Sequence, residues 1–440
     1  MKKYFALILV IAISSCGGSV DISPEDTYVK FFGDVASLEM KDMIFVNDGS
    51  EGLVMFGTRD GEVEEVIAGE TFTFIEKNMY LVVTDEKGNP VSEQMFEIPD
   101  GLSTGNSHYD EEGVRITAIQ NGYLVIGTIT NFPNKDLPEE TVSLIVYAQL
   151  DNGFNLTGNW QAIGDSTNNY VAADINLMDD DGILIAGYTD VNGSNDFFYQ
   201  KIGGTNPEWS RIEIRPGSDD RLIRALPTKN GQYALFGQTE AFSGDGEGGV
   251  NVERTIIDVD GIIQNSLIYG ITDSDGYDLR DDIPSDVLER PGGFVIVGTS
   301  YFDASTYDPF VMFVDIVGAQ VTEVVFDQTF SSGTSGFNAK GLGVVQLQNN
   351  DYFVVGSVDN YEDPISGEAK GDESLVVRTD QLGSPIGEFK TYGLLNGNEH
   401  ADRALKGNDG SIRIGATFDF GGGLTSFALL KTNTDGELKQ

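Results

Sequence analysis

The sequence predicts an all-β protein: a seven-bladed β-propeller of four-stranded antiparallel blades, closed by an N-terminal strand that completes the last blade. One pattern carries the prediction. A tight polar turn, a short apolar strand and a strand-ending Gly recur seven times, with the Gly at positions 57, 127, 187, 237, 298, 356 and 415. The steps between them are 70, 60, 50, 61, 58 and 59 residues, and self-similarity at a near-constant step marks a repeat architecture. A second observation agrees. No apolar run keeps a helical period, and the runs are bounded by Gly, Asn and Asp as strands are.

Taken along the chain, residues 1–15 read as an export signal. Met1-Lys2-Lys3 is positive, residues 4–13 are apolar, and Ser14-Ser15 precedes Cys16. An apolar run of this length is too short to span a bilayer, which takes about 20 residues, and suits the core of a signal peptide. The small residues before Cys16 resemble a bacterial lipobox, with Ile13 at its start departing from the commonest form. The resemblance implies cleavage before Cys16, fatty acylation of Cys16 and attachment to the membrane through that lipid. Gly17 after the Cys implies the outer membrane, with the periplasmic or cell-surface side left open. Residues 16–26 then form a lipidated tether, and residues 27–440 the propeller.

Within each unit a strand precedes the Gly strand, as in residues 116–119, 175–178 and 344–347. A third strand follows a variable loop, as in residues 144–150, 310–315 and 375–380. It runs into a turn with Asp first and Gly fourth: Asp85 and Gly88, Asp258 and Gly261, Asp315 and Gly318, Asp380 and Gly383. Such turns need the side-chain acceptor of Asp and the conformational freedom of Gly. An outer strand leaves, often with an aromatic residue near it. The seventh unit stops after three strands, just past Asn433-Thr434-Asp435-Gly436, whereas Tyr28-Val29-Lys30-Phe31-Phe32-Gly33 has no unit of its own. Lending that segment to the last blade closes the ring and removes two open sheet edges.

The pattern carried by Gly231-Gln232-Tyr233, Gly293-Phe294, Gly127-Thr128, Thr379-Asp380-Gln381-Leu382-Gly383 and Phe31-Phe32-Gly33 resembles the β-propeller-repeat lipoproteins and surface proteins of Bacteroidetes-type bacteria. The resemblance covers about residues 27–440. It implies an architecture and an envelope location and brings no catalytic motif. The third unit departs from it, since Lys201-Ile202-Gly203-Gly204 lacks the Asp turn.

Composition excludes several classes. With 70 acidic against 27 basic residues and a net charge of −43, a phosphate-tracking groove is ruled out, because nucleic-acid binding rests on clustered Lys and Arg. A single Cys excludes a disulfide framework and a Cys-rich zinc site. At 40% hydrophobic residues the chain has material for a large core and is no disordered polyacid.

Function is sought on the face carrying the longer connections, residues 59–78, 129–142, 240–251, 300–309 and 358–374, which are rich in Asp and Glu. Such a face attracts cations, unless the acids only solvate their loops. Asp273, Asp275 and Asp278 surround Gly276 and supply part of a Ca²⁺ shell, or else line a solvated turn; the run is not an EF-hand. Glu399-His400-x-Asp402 has the residue types of acid–base chemistry but reads more simply as structural. His108 is the other His. Gly244 to Gly249 lacks the Lys of a phosphate loop, and Trp160 and Trp209 read as blade packing. The reading is a non-enzymatic binding or scaffold module for a protein or glycan partner. The alternative is an extracellular glycan-acting enzyme with carboxylates at the channel, and fold alone does not decide between them.

Overall fold

The computed structural model describes residues 27–438 apart from 34–36, 68–69, 99–109, 134–140, 166, 204–205, 216, 229–230, 241–248, 272–279, 304–305, 316, 318, 327–337, 363–368 and 395–396. Seven antiparallel sheets follow one another along the chain, with no helix among the described residues. Blade one is typical: inner strand Leu38–Phe45, second strand Leu53–Ile67, third strand Glu70–Thr84 and outer strand Pro90–Phe96. The sixth blade also pairs Gly397–Asn398 in parallel with its third strand. The seventh has His400–Lys406, Ile412–Asp419 and Thr425–Thr432. Tyr28–Phe32 joins it as the outer strand, Tyr28 opposite Lys431 and Phe32 opposite Phe427. The predicted closure is thus the observed one.

The apolar core lies between blades, because each sheet is covered on both faces by its neighbours. One cluster joins Val54, Phe56 and Leu81 of blade one to Ile116, Val125 and Val146 of blade two. Another joins Phe427 and Leu429 of blade seven to Leu38, Met55 and Tyr80 of blade one, so the last interface is packed like the first. Trp209 belongs to this packing: its indole N–H donates to the Val259 carbonyl at 3.1 Å. Trp160 is buried edge-on against Phe96 of the preceding blade.

The repeated Gly has a local cause. Every inner strand carries a one-residue bulge, between Met40 and Asp42, Gly113 and Arg115, Ala172 and Asp174, Leu222 and Arg224, Pro284 and Asp286, Gly341 and Gly343, and Ala401 and Arg403. The residue just before the bulge pairs in each case with the strand-ending Gly. The bulge tips an inner-strand carbonyl into the space where a side chain would begin. A Cβ on Gly187 would lie 2.1 Å from the Val171 carbonyl oxygen, and one on Gly237 would lie 2.3 Å from that of Arg221. The Thr that follows has its own task. The hydroxyl of Thr58 accepts the Gly113 amide of the next blade at 3.2 Å, and that of Thr128 accepts the Ala172 amide at 3.0 Å. Thr417 closes the series by accepting the Met40 amide at 3.0 Å.

Deleting Tyr28–Phe32 exposes the third strand of blade seven and uncovers Phe427 and Leu429. The variant is expected to melt well below the parent and to gain edge-to-edge association, read by calorimetry and light scattering. An unchanged melting temperature would contradict this closure.

Candidate functional site

Antiparallel alternation puts the connections between second and third strands on one face, together with the blade-to-blade connections. The tight turns lie on the other. One expected loop is corrected here. Residues 59–78 are not a loop: the second and third strands of blade one stay paired from Arg59 opposite Asn78 to Ile67 opposite Glu70, forming a hairpin that runs on beyond the blade. The expected loops at 300–309, 129–142 and 358–374 are corrected in the same sense, since pairing continues with irregularities to Asp303 opposite Thr306, Pro133 opposite Thr141 and Glu362 opposite Ala369. Cys16, His108, the proposed calcium ligands Asp273, Asp275 and Asp278, and Gly244 to Gly248 lie outside the described residues. Among the described residues no three His, Cys, Asp or Glu side chains converge to hold a metal ion.

The axis of the molecule is built by the bulges. The residue after each bulge is, blade by blade, Asp42, Arg115, Asp174, Arg224, Asp286, Gly343 and Arg403. The six charged side chains form a closed circuit. Arg115 lies 3.3 Å from Asp42 and 3.9 Å from Asp174. Arg224 lies 3.4 Å from Asp174 and 3.6 Å from Asp286. Arg403 reaches past the missing side chain of Gly343 to Asp286 at 2.6 Å and returns to Asp42 at 3.3 Å. The carboxylates also hold the next blade: Asp42 accepts the Ile116 amide, Asp174 the Ala225 amide and Asp286 the Val344 amide. Burial alone would raise the Asp286 carboxyl, but Arg403, Arg224 and Arg115 hold it below the ordinary carboxylate range. These channel carboxylates are therefore committed to arginines and to backbone. Sequence reasoning missed this circuit. Its signal is a charged residue 12 to 15 positions ahead of the strand-ending Gly in every unit but the sixth.

Against the circuit lies a hollow of about 160 Å³, bounded by Lys41, Arg115, Ser285, Asp286, Leu342, Asp402 and Arg403. Leu342 also borders a second hollow of about 170 Å³ between blades six and seven, whose other walls are Lys340, Ser357, Asp359, Asp372, Asn398, Glu399 and His400. The structure thus brings Glu399 and His400 of the predicted acidic motif into one cleft on the long-connection face. It directs Asp402 to the axial hollow, with its carboxylate 3.5 Å from the His400 ring. Glu399 is 1% exposed; its Oε1 accepts the Leu394 amide at 3.2 Å, and its Oε2 accepts no hydrogen bond. Burial, reinforced by Glu373 and Asp419, pushes its carboxyl up to about 8. Burial and then Asp372 push Asp359 up to about 6.

Glu399 stands three residues before the bulge residue of its strand. Glu111 and Asp282 stand in the equivalent places, where they accept the amides of Ile98 and Ile271. The shared task is to catch the incoming blade-to-blade connection. Burial raises Glu111 to about 8 as well. Only in blade seven does such a carboxyl also border the cleft described above.

No protein-family model matches the chain, and no curated protein matches it. Solved structures share its fold. An ulvan lyase, a polysaccharide lyase, superposes with a TM-score of 0.53 at 10% identity over 93% of this chain and 98% of that one. Drosophila semaphorin 1a gives 0.50 at 9% identity over 93% and 88%. Trypanosoma rangeli sialidase gives 0.41 at 14% identity over 90% of this chain, which spans about 55% of the sialidase's length. For the lyase and the semaphorin, at these identities, the likeness is one of fold.

Two outcomes are expected. Replacing Arg224 by Met leaves Asp174 and Asp286 undercompensated, and denaturant unfolding should show a loss of about 3–5 kcal/mol, partly restored in Asp174→Asn/Arg224→Met. The second concerns pH. Because Glu111 and Glu399 are raised to about 8 in the folded chain, the native state binds more protons than the unfolded state above the ordinary carboxyl range. Their contribution to stability is fully present below that range and is lost as pH rises through about 8. The melting temperature should fall between pH 5 and pH 9, and Glu111→Gln/Glu399→Gln should flatten that slope.

Proposed function

We propose that the protein is an envelope lipoprotein, anchored through Cys16, that binds a glycan in the cleft between blades six and seven. The observation that carries the reading is the unpartnered Glu399 Oε2, buried against a hollow that also presents Asp359, Asp372, Asn398, His400 and Lys340. Buried polar groups without partners are costly, and sugar hydroxyls are the donors and acceptors that satisfy such a wall. A carboxyl that holds its proton near neutral pH both donates and accepts, as an oligosaccharide requires. The net charge of −43 repels polyanions, so the favoured glycans are neutral or carry amines. A lyase of this fold has been seen bound to the polysaccharide unit -[GlcA(1-4)Rha3S]-, so the fold accommodates a sugar chain; the cleft chemistry is this chain's own.

A glycan-acting enzyme is the second reading. It rests on Asp359 and Glu399, two carboxyls of unequal proton affinity in one cleft, as acid–base pairs require.

The test is a glycan array followed by titration calorimetry with the detergent-solubilised full chain. Neutral or amino glycans are expected to bind and sulfated or uronic ones to fail. Glu399→Leu removes both the donor and the acceptor at the cleft, and affinity should fall about tenfold, the worth of one buried hydrogen bond, whereas Glu399→Gln, which keeps a donor and an acceptor, should bind nearly as well as the parent. New reducing ends or unsaturated sugars would support the enzyme instead. Binding of polyanions alone would overturn the cleft assignment.

A further inference from the structure

We infer that the short-turn face is the one held against the membrane, so that the cleft between blades six and seven opens away from the bilayer. The inference rests on the proposed anchor at Cys16 and adds a direction to it. Its first support is the point at which the chain enters the fold. The third strand of blade seven, Thr425–Thr432, runs toward the tight turn Asn433 to Gly436. Tyr28 is paired with Lys431 at that end. The outer strand therefore begins on the short-turn side, at the rim.

The second support is reach. Twelve residue steps separate Cys16 from Tyr28, and a fully extended chain covers at most about 40 Å in that number. To lay the other face on the membrane, the tether would first have to climb the height of a blade. Strands such as Ile183–Thr189, of 7 residues, give a height of about 23 Å. It would then have to clear the blade-one hairpin. That hairpin continues from Asp60 to Ile67 beyond the level at which the Ile183–Thr189 strand ends, adding about 26 Å. The sum exceeds the tether. The hairpin cannot shorten the gap by entering lipid, because it carries Glu62, Glu64, Glu65, Glu70 and Glu76, and buried charges are expensive in hydrocarbon.

The third support is the character of the short-turn rim. Val317 is 76%, Val91 67%, Leu382 60% and Ile262 54% exposed, all at or beside the turns between third and outer strands. The turn acids next to them are occupied locally. Asp258 accepts the amides of Asp260 and Ile262, Asp315 that of Ala319, and Asp380 those of Leu382 and Ser384. Apolar tips thus project among exposed turn acids such as Glu86, Asp260 and Asp435, a mixture suited to contact at the polar headgroup level rather than to entry into hydrocarbon. The occupant is the membrane to which the anchor belongs.

The test uses the full-length acylated protein in phosphatidylethanolamine vesicles containing a headgroup spin label. A thiol-reactive fluorophore is placed on Val317→Cys or on Glu62→Cys, Cys16 being blocked by its lipid. Mass spectrometry first establishes acylation at Cys16. Quenching at position 317 with none at position 62 is expected. Equal or reversed quenching on an acylated protein would overturn the orientation and leave the anchor standing. An unmodified Cys16 would overturn the anchor reading and the orientation with it. Labelling Asn398→Cys repeats the outward measurement in case the hairpin variant fails to fold.

Discussion

The circuit through Asp42, Arg115, Asp174, Arg224, Asp286 and Arg403 is the contact on which the remaining architecture depends. Seven inner strands converge on one axis, and six of them turn a charged side chain into the narrow space around it. A bulge supplies the required tilt. The bulge in turn lifts a carbonyl against the neighbouring strand, and only Gly leaves room for it there. The displaced amides of the next blade are met by Thr hydroxyls and by the second oxygen of each ring Asp. Glycine, threonine, bulge and ion pair are therefore one device. Buried charges stabilise little in net terms, but here each Arg touches two Asp and each Asp two Arg, so a blade out of place strands a charge.

This device also determines where a ligand can act. The three ring carboxylates, Asp42, Asp174 and Asp286, face guanidinium groups and backbone amides, so they have little left to offer a substrate. Further out, at Glu399, the clasp for the blade-to-blade connection uses one oxygen and leaves the other, without a hydrogen bond, at the cleft. Glu111 and Asp282 share this habit and also leave one oxygen without a hydrogen bond, but of the three only Glu399 borders the cleft between blades six and seven.

Architecture was legible in the sequence because it is written in repeats. The seven glycines, the Asp turns and the unmatched Tyr28–Phe32 segment each report local backbone needs. The circuit was illegible because Asp42 or Arg115, taken alone, is a polar residue in an alternating strand, and its partners are at least 59 residues away. Only superposed units reveal it. Residues 59–78 looked like a loop because Gly61, Glu64 and Glu65 are poor strand formers, and the long ladder overrides that preference. Glu399 and His400 were visible as a motif, but their meaning depends on Asp359 and Asp372, which arrive from a different blade. The candidate calcium run around Gly276 falls among residues the structure does not describe.

Gly343 carries a consequence of a different kind. Charges of opposite sign can alternate without conflict only around an even number of positions, and the propeller has seven. A seventh charge would place two like signs side by side in a medium that screens them poorly. The glycine takes that position out of the count, and Arg403 spans the gap to Asp286. Parity thus constrains how such a ring changes by duplication. A single added blade bearing a charge would frustrate the cycle, whereas a neutral blade, or two blades of opposite sign, would preserve it.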